Sequence, residues 1–389
     1  MFILNNMHLS EHAKTMAVYA IVAFVTFLIC FFLVRTAQTH VGLTSRTEDL
    51  KAVQASHKTP TPRIGGVAIF LGLEMAVGLL PGAQVTLLSQ ILLASVPVMV
   101  AGLLEDMGRQ LPPSLRLLAA AISALLAMHL TGTTIQRADV PVLDAMLLFP
   151  PFAILFTTFA VAGVCNAINL VDGMNGLAGT LASISAAGLA LISAMHGQYD
   201  LATIAMLLVS VMIGFLMLNY PRGHIFLGDA GAYLIGFVLA WISVTLMMRV
   251  PAISAWSIVL INFWPIADTL LAIYRRRTNG RATDLPDRLH FHQLIKRTLE
   301  ILFLGRGRWA LSNPLTTLVI APAALVPMLA GLWLAHDAGL AALAVLTSAV
   351  LFFGTYMLLL RLARQRQRLG LVGRLKQAER MQGTIEQQA

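Results

Sequence analysis

Two acidic sites interrupt a largely apolar sequence, and their residue types are suited to metal and phosphate chemistry. Glu105 and Asp106 are adjacent, and Asp229 stands between Gly228 and Gly231. An acid at a helix N-terminus can simply be stabilised by the helix dipole, but flanking glycines also let a large ligand approach the backbone. Carboxylate and amide oxygens suit Mg²⁺, which prefers few protein ligands plus substrate phosphates. We therefore expect a divalent cation near Asp229.

A stripe of polar residues ends one apolar segment. Asn166, Asn169 and Asp172 are spaced i, i+3 and i+6, which places them on one face of a helix. The alternative is a capped helix end, with Asn175 as N-cap of the next helix. That alternative explains Asn175 but not three polar residues within an apolar helix, where unpaired polar groups are costly. The stripe therefore favours a functional site.

The adjacent acids Glu105 and Asp106 are predicted at a helix C-terminus, where the dipole disfavours negative charge. Two neighbouring carboxylates raise the pKa of one of the pair, and a carboxylate with a raised pKa can act as a general base. Arg109, three residues further on, offers an alternative, an ordinary ion pair with Asp106. The short loop favours function because ionisable groups at a membrane are costly.

Two histidines lie in a basic loop. His290 and His292 are two residues apart, so they cannot share a helical face and are a weak metal signal. Together with Arg288 they are better suited to bind phosphate oxygens, although basic residues here also follow from membrane topology. Asp268, one to two turns before Arg275, is expected to be the buried partner of an arginine.

The elements that position these residues are predicted to be membrane-spanning helices. Hydrophobic residues make up 58% of the 389, and charged residues only 12%, about half the fraction of a soluble domain. A spanning helix needs about 20 apolar residues, and about eleven segments qualify. They are 16–34, 64–82, 86–104, 115–132, 145–165, 177–195, 201–219, 228–248, 253–274, 313–335 and 339–361. We predict an all-α transmembrane bundle, 1–361, followed by a basic tail, 362–389.

The charge distribution predicts the orientation. With the N-terminus outside, only Lys14, Arg137 and Arg249 of the 27 Lys and Arg residues lie outside, as the positive-inside rule requires. The C-terminus is then cytoplasmic, and all polar clusters meet at the cytoplasmic face. The net charge of +9 follows from this topology, so no nucleic-acid partner is expected. The first span is expected to be an uncleaved signal anchor.

Four ordered motifs resemble a known family, the polyprenyl-phosphate N-acetylhexosamine-1-phosphate transferases of glycosyltransferase family 4. They are the segment ending at Gly66 (Pro-Arg-Ile-Gly-Gly), Asn166–Leu177, Phe226–Gly231 and Asp287–His292. The resemblance covers about 16–361. It implies transfer of a sugar-1-phosphate from a UDP-N-acetyl sugar to a polyprenyl phosphate, usually undecaprenyl phosphate, with release of UMP. It also implies Mg²⁺, for which Mn²⁺ could substitute, and a bacterial inner membrane location.

The resemblance also implies residue roles. Asn169 and Asp229 would hold the metal, and the catalytic residues would be Glu105, Asp106, Asp172, His290 and His292. Asp106 would be the base for the acceptor phosphate, or Asp172 would deprotonate or position it. Phe226 would stack on uracil. The other substrate contacts would be Lys58, Asn166, Asn175 and Arg288.

Three departures from the family pattern favour the branch that initiates O-antigen over the peptidoglycan branch. Glu105 replaces the first acid of a usual Asp-Asp pair, Asn175 replaces a common acid, and the loop reads His-Phe-His. The peptidoglycan-type phospho-N-acetylmuramoyl-pentapeptide transferase is the alternative function. A secondary transporter is disfavoured because the clusters lie at helix ends on one side. The donor sugar, the glycan pathway and a homodimer are left open.

Overall fold

Helices form the regular structure of the chain in a computed structural model that describes residues 11–37, 61–278, 290–305 and 308–386. A π-helical turn, Glu300–Leu304, continues the α-helix Phe291–Leu299. The α-helices are α1 (Glu11–Arg35), α2 (Gly65–Val77), α3 (Gly82–Asp106), α4 (Pro113–Thr131), α5 (Pro141–Leu147), α6 (Pro150–Val171), α7 (Leu177–Met195), α8 (Tyr199–Asn219), α9 (Gly228–Arg249), α10 (Ala255–Ile261), α11 (Phe263–Thr278), α12 (Phe291–Leu299), α13 (Trp309–Trp333) and α14 (Ala338–Glu386). The predicted all-α fold is confirmed.

The part of the chain that the structure describes has fewer candidate spans than the eleven predicted. Within the described ranges, nine helices are long and apolar enough to cross a membrane, and α10 with α11 makes a tenth if the bent pair is one span. The predicted span 64–82 contains only the 13-residue helix α2. The predicted span 145–165 is shifted, because the short helix α5 precedes α6, which begins at Pro150. The chain is thus a multi-pass membrane protein.

The predicted span 253–274 is broken at Asn262, where α10 and α11 meet at an angle of 85°. Pro265 lies in the first turn of α11 and has no N–H to donate to the preceding turn. The amide of the buried Asn262 donates to Ile258 O at 3.0 Å and to Ser243 Oγ at 3.2 Å. These bonds satisfy polar groups at a break that an apolar span would otherwise leave unpaired.

Helix α9 lies at the centre of the bundle, and its residues from Ala230 to Met247 are buried all round. It packs against α3 and α6 along its length, and α2 contacts its first part. A helix that is apolar on every face is stable only when neighbours cover all faces. The surrounding helices therefore fix the position of α9 in the bundle.

The end of the bundle at which α9 finishes carries a second set of polar contacts. Arg137 donates to the carbonyl oxygens of Met247 and Val250, which satisfies the C-terminus of α9. Asp139, at a φ of 56°, accepts hydrogen bonds from the Ser254 hydroxyl and the Ala255 N–H at the start of α10. The segment between α4 and α5 therefore fastens two helix ends.

The expected orientation can be tested with a matched pair of single cysteines. Gln136 is exposed beyond the end of α4, and Gln110 is exposed beyond the end of α3, on the opposite side of the bundle. Both native cysteines are buried, so their background reaction should be low. With the N-terminus outside, a membrane-impermeant maleimide should label Gln136→Cys but not Gln110→Cys in intact cells. The reverse pattern would overturn the expected orientation.

Candidate active site

The N-terminus of α9 is capped by a carboxylate from another helix. The two oxygens of Asp106, at the end of α3, accept the backbone N–H groups of Asp229 and Ala230 at 2.9 and 3.0 Å. The Asp106 side chain is 0% exposed. The first N–H groups of a helix have no partner within it, and negative charge is favourable there. Asp106 therefore holds Asp229 at a defined place.

Asp229 in turn has partners from two other segments. The amide of Asn169 on α6 donates to Asp229 Oδ1 at 2.6 Å. Arg63 places Nη2 3.9 Å from Asp229 Oδ2 and Nε 3.7 Å from Asp106 Oδ1. One cation thus lies between the two acids, and three helices and one loop meet at this point.

The alternative ion pair predicted for Asp106 was wrong. Its cationic partner is Arg63, from the segment before α2, and not Arg109, which is exposed. Glu105 faces another way and lies 3.4 Å from Arg116 Nη1 on α4. Of the two adjacent acids, Asp106 makes the hydrogen bonds to the turn that carries Asp229, and Glu105 pairs with Arg116.

Glycines allow this close approach of backbones. A Cβ atom on Gly102 would lie 2.5 Å from Ala230 Cα, and one on Gly66 would lie 2.2 Å from the Gly231 nitrogen. Gly228 has a φ of +74°, and a Cβ atom there would lie 2.5 Å from Asp106 Oδ2. A side chain at any of these positions would force the helices apart.

Asp172 follows α6 at its C-terminus and is half-buried. Burial raises its pKa to about 7, the charge of Asp229 adds to the rise, and Arg63 opposes it. Of the predicted stripe, Asn169 reaches Asp229, whereas Asn166 donates to Ala162 O of its own helix at 2.9 Å. A substrate contact of Asn166 stays a prediction.

Asn175 fixes the loop between α6 and α7. It is buried, its N–H donates to Asn313 Oδ1 at 2.7 Å, and its carbonyl accepts the Thr317 hydroxyl at 2.7 Å. Its side-chain amide donates to Pro221 O at 2.8 Å. The N-cap position of α7 is Gly176, so the alternative assignment of Asn175 as N-cap was wrong. A substrate contact stays a prediction, which this burial disfavours.

The loop before α9 is fixed by a residue that sequence reasoning missed. Asn219 accepts the Gly176 N–H at 2.6 Å and donates to Ile225 O at 2.6 Å. Phe226 pairs through its backbone, donating to Pro62 O at 2.8 Å and accepting from Gly65 at 3.0 Å. The Phe226 side chain is half-exposed, and its expected stacking on uracil stays a prediction.

The two histidines share a buried acid. Asp268 Oδ2 lies 3.6 Å from His290 Nδ1 and 3.7 Å from His292 Nδ1, and Asp268 Oδ1 accepts the Phe291 N–H at 3.2 Å. The predicted pairing of Asp268 with an arginine was therefore wrong. Arg275 instead donates to the Tyr356 hydroxyl at 3.1 Å.

His292 connects the histidine loop to the Asn166–Gly176 segment. A Cβ atom on Gly173 would lie 2.5 Å from His292 Nε2, so only glycine fits beside the ring. The two histidine rings stack, with centroids 5.5 Å apart. Burial lowers the pKa of His292 and favours the neutral ring, although the charge of Asp268 acts in the opposite direction. The sequence clusters from distant positions are thus brought together.

The predicted substrate contacts Lys58 and Arg288 lie outside the described residues.

Two residues of the site, Arg63 and Asp268, were not predicted as such from the sequence. Arg63 was seen only as part of a motif, and Asp268 was assigned to another partner. The cost of placing an acid in an apolar helix could have marked Asp268 as functional. Arg63 carries no comparable signal among many basic residues.

The donor set around Asp229 fits Mg²⁺. The described residues hold no group of three or more His, Cys, Asp or Glu that could enclose a metal ion. Asp229 and Asn169 offer two oxygen ligands, and the Asp229 side chain is 25% exposed. Mg²⁺ commonly takes one or two carboxylates and completes its shell with water and phosphate oxygens. Asn169 would need to turn its amide, because its nitrogen now faces Asp229.

The chain is similar in sequence to named bacterial enzymes. The family model described as glycosyl transferase family 4 matches residues 88–247. A decaprenyl-phosphate N-acetylglucosaminephosphotransferase of Mycobacterium tuberculosis is 32% identical over 64% of this chain and 71% of the relative. An undecaprenyl-phosphate alpha-N-acetylglucosaminyl 1-phosphate transferase of Salmonella typhi is 30% identical over 69% and 73%. A probable enzyme of the same kind from Bacillus subtilis is 29% identical over 73% and 78%.

The fold and the site define a multi-pass membrane enzyme with converging acids, amides and histidines at one end of a helical bundle. The chain belongs to glycosyl transferase family 4 and is a glycosyl-1-phosphate transferase of the kind that acts with polyprenyl phosphates. The family expected from the four motifs is confirmed.

The contact between α3 and α9 can be tested with a pair of glycine substitutions. Gly102→Ala should lower Tm and activity, because its methyl group would meet the backbone of Ala230. Gly163→Ala on α6 is the control, because a Cβ atom there would have no neighbour from another segment within 4 Å. The control should keep its activity and gain up to about 1 kcal/mol from helix propensity. Equal thermal stability of the two variants in detergent would contradict the close contact.

Proposed function

We propose that this chain transfers an N-acetyl sugar-1-phosphate, N-acetylglucosamine-1-phosphate being the first candidate, from a UDP-sugar to undecaprenyl phosphate or a related polyprenyl phosphate. UMP is the second product. The reaction takes place at the cytoplasmic face of a bacterial inner membrane and begins a lipid-linked glycan such as an O-antigen. The names of the relatives support the sugar and the lipid acceptor.

The observation that carries the proposal is the group formed by Asp229, Asn169 and Arg63 at the start of α9. It offers oxygen ligands for a cation and a guanidinium for phosphate oxygens at one place. The N–H groups of Asp229 and Ala230 already donate to Asp106, so they are not the donors that would receive a phosphate. Binding of a pyrophosphate here depends on the cation and Arg63.

The proposed reaction is attack by an oxygen of the acceptor phosphate on the phosphorus that carries the sugar. A new P–O bond forms to the lipid phosphate, and the bond to the UMP oxygen breaks. Mg²⁺ held by Asp229 and Asn169 would neutralise the charge of the donor pyrophosphate. Arg63 adds positive charge at the same place. The Nδ1 atoms of His290 and His292 both face Asp268, so these rings donate to the leaving phosphate only when Nε2 is also protonated.

Asp172 is the better of the two proposed bases. Asp106 has no exposed side-chain surface, and both of its oxygens accept backbone N–H groups. Asp172 is half-buried and follows the helix that carries Asn169. We therefore assign to Asp172 the positioning or deprotonation of the acceptor phosphate. Asp106 is then a positioning residue, which acts by holding Asp229.

A donor panel tests the reaction. Purified protein in nanodiscs receives undecaprenyl phosphate, Mg²⁺ and one UDP-sugar at a time, and released UMP is measured. UDP-N-acetylglucosamine or another UDP-N-acetyl sugar should release UMP, and UDP-N-acetylmuramoyl-pentapeptide should not. Mn²⁺ should restore part of the activity after EDTA. Turnover of the pentapeptide donor would favour the peptidoglycan-type alternative, and no UMP from any donor would sink the proposal.

The roles of the three acids can be separated by carboxamide variants. Asp229→Asn should lower turnover by at least about 100-fold with little change in Tm, because charge but not shape is lost. Asp106→Asn should lower both turnover and Tm, because the new NH₂ group would leave one N–H of α9 unpaired at a cost of about 1–3 kcal/mol. Asp172→Asn should lower turnover alone.

Asp200→Asn is the control for these variants, because Asp200 pairs with Arg249 at the other end of the bundle. It should keep full turnover. If Asp106→Asn lost turnover but kept its Tm, while Asp172→Asn kept its turnover, the base would be Asp106 and our assignment of Asp172 would be wrong.

A further inference from the structure

Two histidines meet at the end of the bundle opposite Asp229. His196 follows α7, and His336 lies in the turn between α13 and α14. Their Nε2 atoms are 3.3 Å apart, with ring centroids separated by 5.0 Å and planes tilted by 54°. His196 is half-buried and His336 is exposed, so the pair is open to solvent.

The other nitrogen of each ring fixes the tautomer. His196 Nδ1 lies 2.7 Å from Ile192 O, and His336 Nδ1 lies 3.2 Å from Ala252 O. A carbonyl oxygen can only accept a hydrogen bond, so both Nδ1 atoms must carry hydrogen. In two neutral rings both Nε2 atoms then present lone pairs to each other. This arrangement is unfavourable unless a cation lies between them.

The spacing suits one metal ion. Two nitrogen ligands on a tetrahedral Zn²⁺, with bonds of about 2.0–2.1 Å, are about 3.4 Å apart. An Nδ1–H bonded to a backbone carbonyl is also the usual outer partner of a metal-binding histidine. We propose that His196 and His336 bind a divalent transition metal ion, for which Zn²⁺ is the probe.

The chemistry separates this site from that at Asp229. Imidazole nitrogens suit Zn²⁺, Cu²⁺ and Ni²⁺, whereas Mg²⁺ takes oxygen ligands. In the described part of the chain no third His, Cys, Asp or Glu joins the pair, and the neighbouring Asp337 accepts the Leu340 N–H at the start of α14. Water would therefore complete the coordination of the ion.

A metal here would join the same two helices that frame the active site. At the active-site end, α13 holds the loop before α7, since Asn313 and Thr317 bond to the backbone of Asn175. At the far end, His196 belongs to the end of α7 and His336 follows α13. The ion would therefore fix the second end of this helix pair and stabilise the folded protein.

The test uses the full chain in detergent after removal of metals with EDTA. Zn²⁺ should raise the Tm of the wild-type protein by about 2 °C or more, whereas Mg²⁺ should not reproduce the effect. Cu²⁺ should give an electron paramagnetic resonance signal with two nitrogen ligands. His196→Ala and His336→Ala should each abolish both effects while keeping UMP release. His129→Ala, which removes another exposed histidine, should keep them.

The outcomes separate a metal from a proton. If the two rings merely share a proton, Zn²⁺ will raise Tm equally in the wild type and both variants, or in none, and the two-nitrogen Cu²⁺ signal will be absent. Either result overturns the proposal. Loss of the Zn²⁺ effect in His129→Ala alone would also overturn it, by placing the ion elsewhere. Failure of the donor panel would leave this site untouched, since it does not depend on the reaction.

Discussion

One buried carboxylate holds the site together. Removing a charge from water is costly unless hydrogen bonds compensate for the lost hydration. Asp106 obtains this compensation from two N–H groups at the start of α9 and from Arg63. The interaction is also the reason why α9 can begin where other helices surround it, because two N–H donors of its first turn are satisfied from α3.

The position of Asp229 follows from that contact, and the position of Asn169 follows from Asp229. Glycines at 66, 102 and 228 are required because the backbones of three segments meet around the same turn. The histidine side of the site is built independently, on Asp268 at the broken span. Its connection to the acidic side is steric, through Gly173 and His292.

Buried amides hold the loops that join these parts. Their side chains bond to backbone groups of the loop before α7 and of the loop before α9, where unpaired polar atoms would be costly. The three residues are Asn175, Asn219 and Asn313. A rigid loop beside a half-buried carboxylate suits transfer between two phosphates, because misplacement of either reactant costs rate. The polar contacts of the site lie at helix ends and near the break, so the lipid-facing surfaces beside them can remain apolar.

Sequence alone determined the helical membrane bundle, the family and the meeting of the polar motifs at one end. Span length and alternation suffice for the bundle and for the meeting of the motifs, because each crossing reverses direction. The four motifs suffice for the family. Tertiary structure decided the partners: Arg63 and not Arg109 for Asp106, and two histidines and not an arginine for Asp268. It also decided the break at Asn262 and the short α2. These features depend on packing between segments far apart in the chain, such as Asp106 and Asp229, and local pattern carries no information about which polar groups such packing brings into contact.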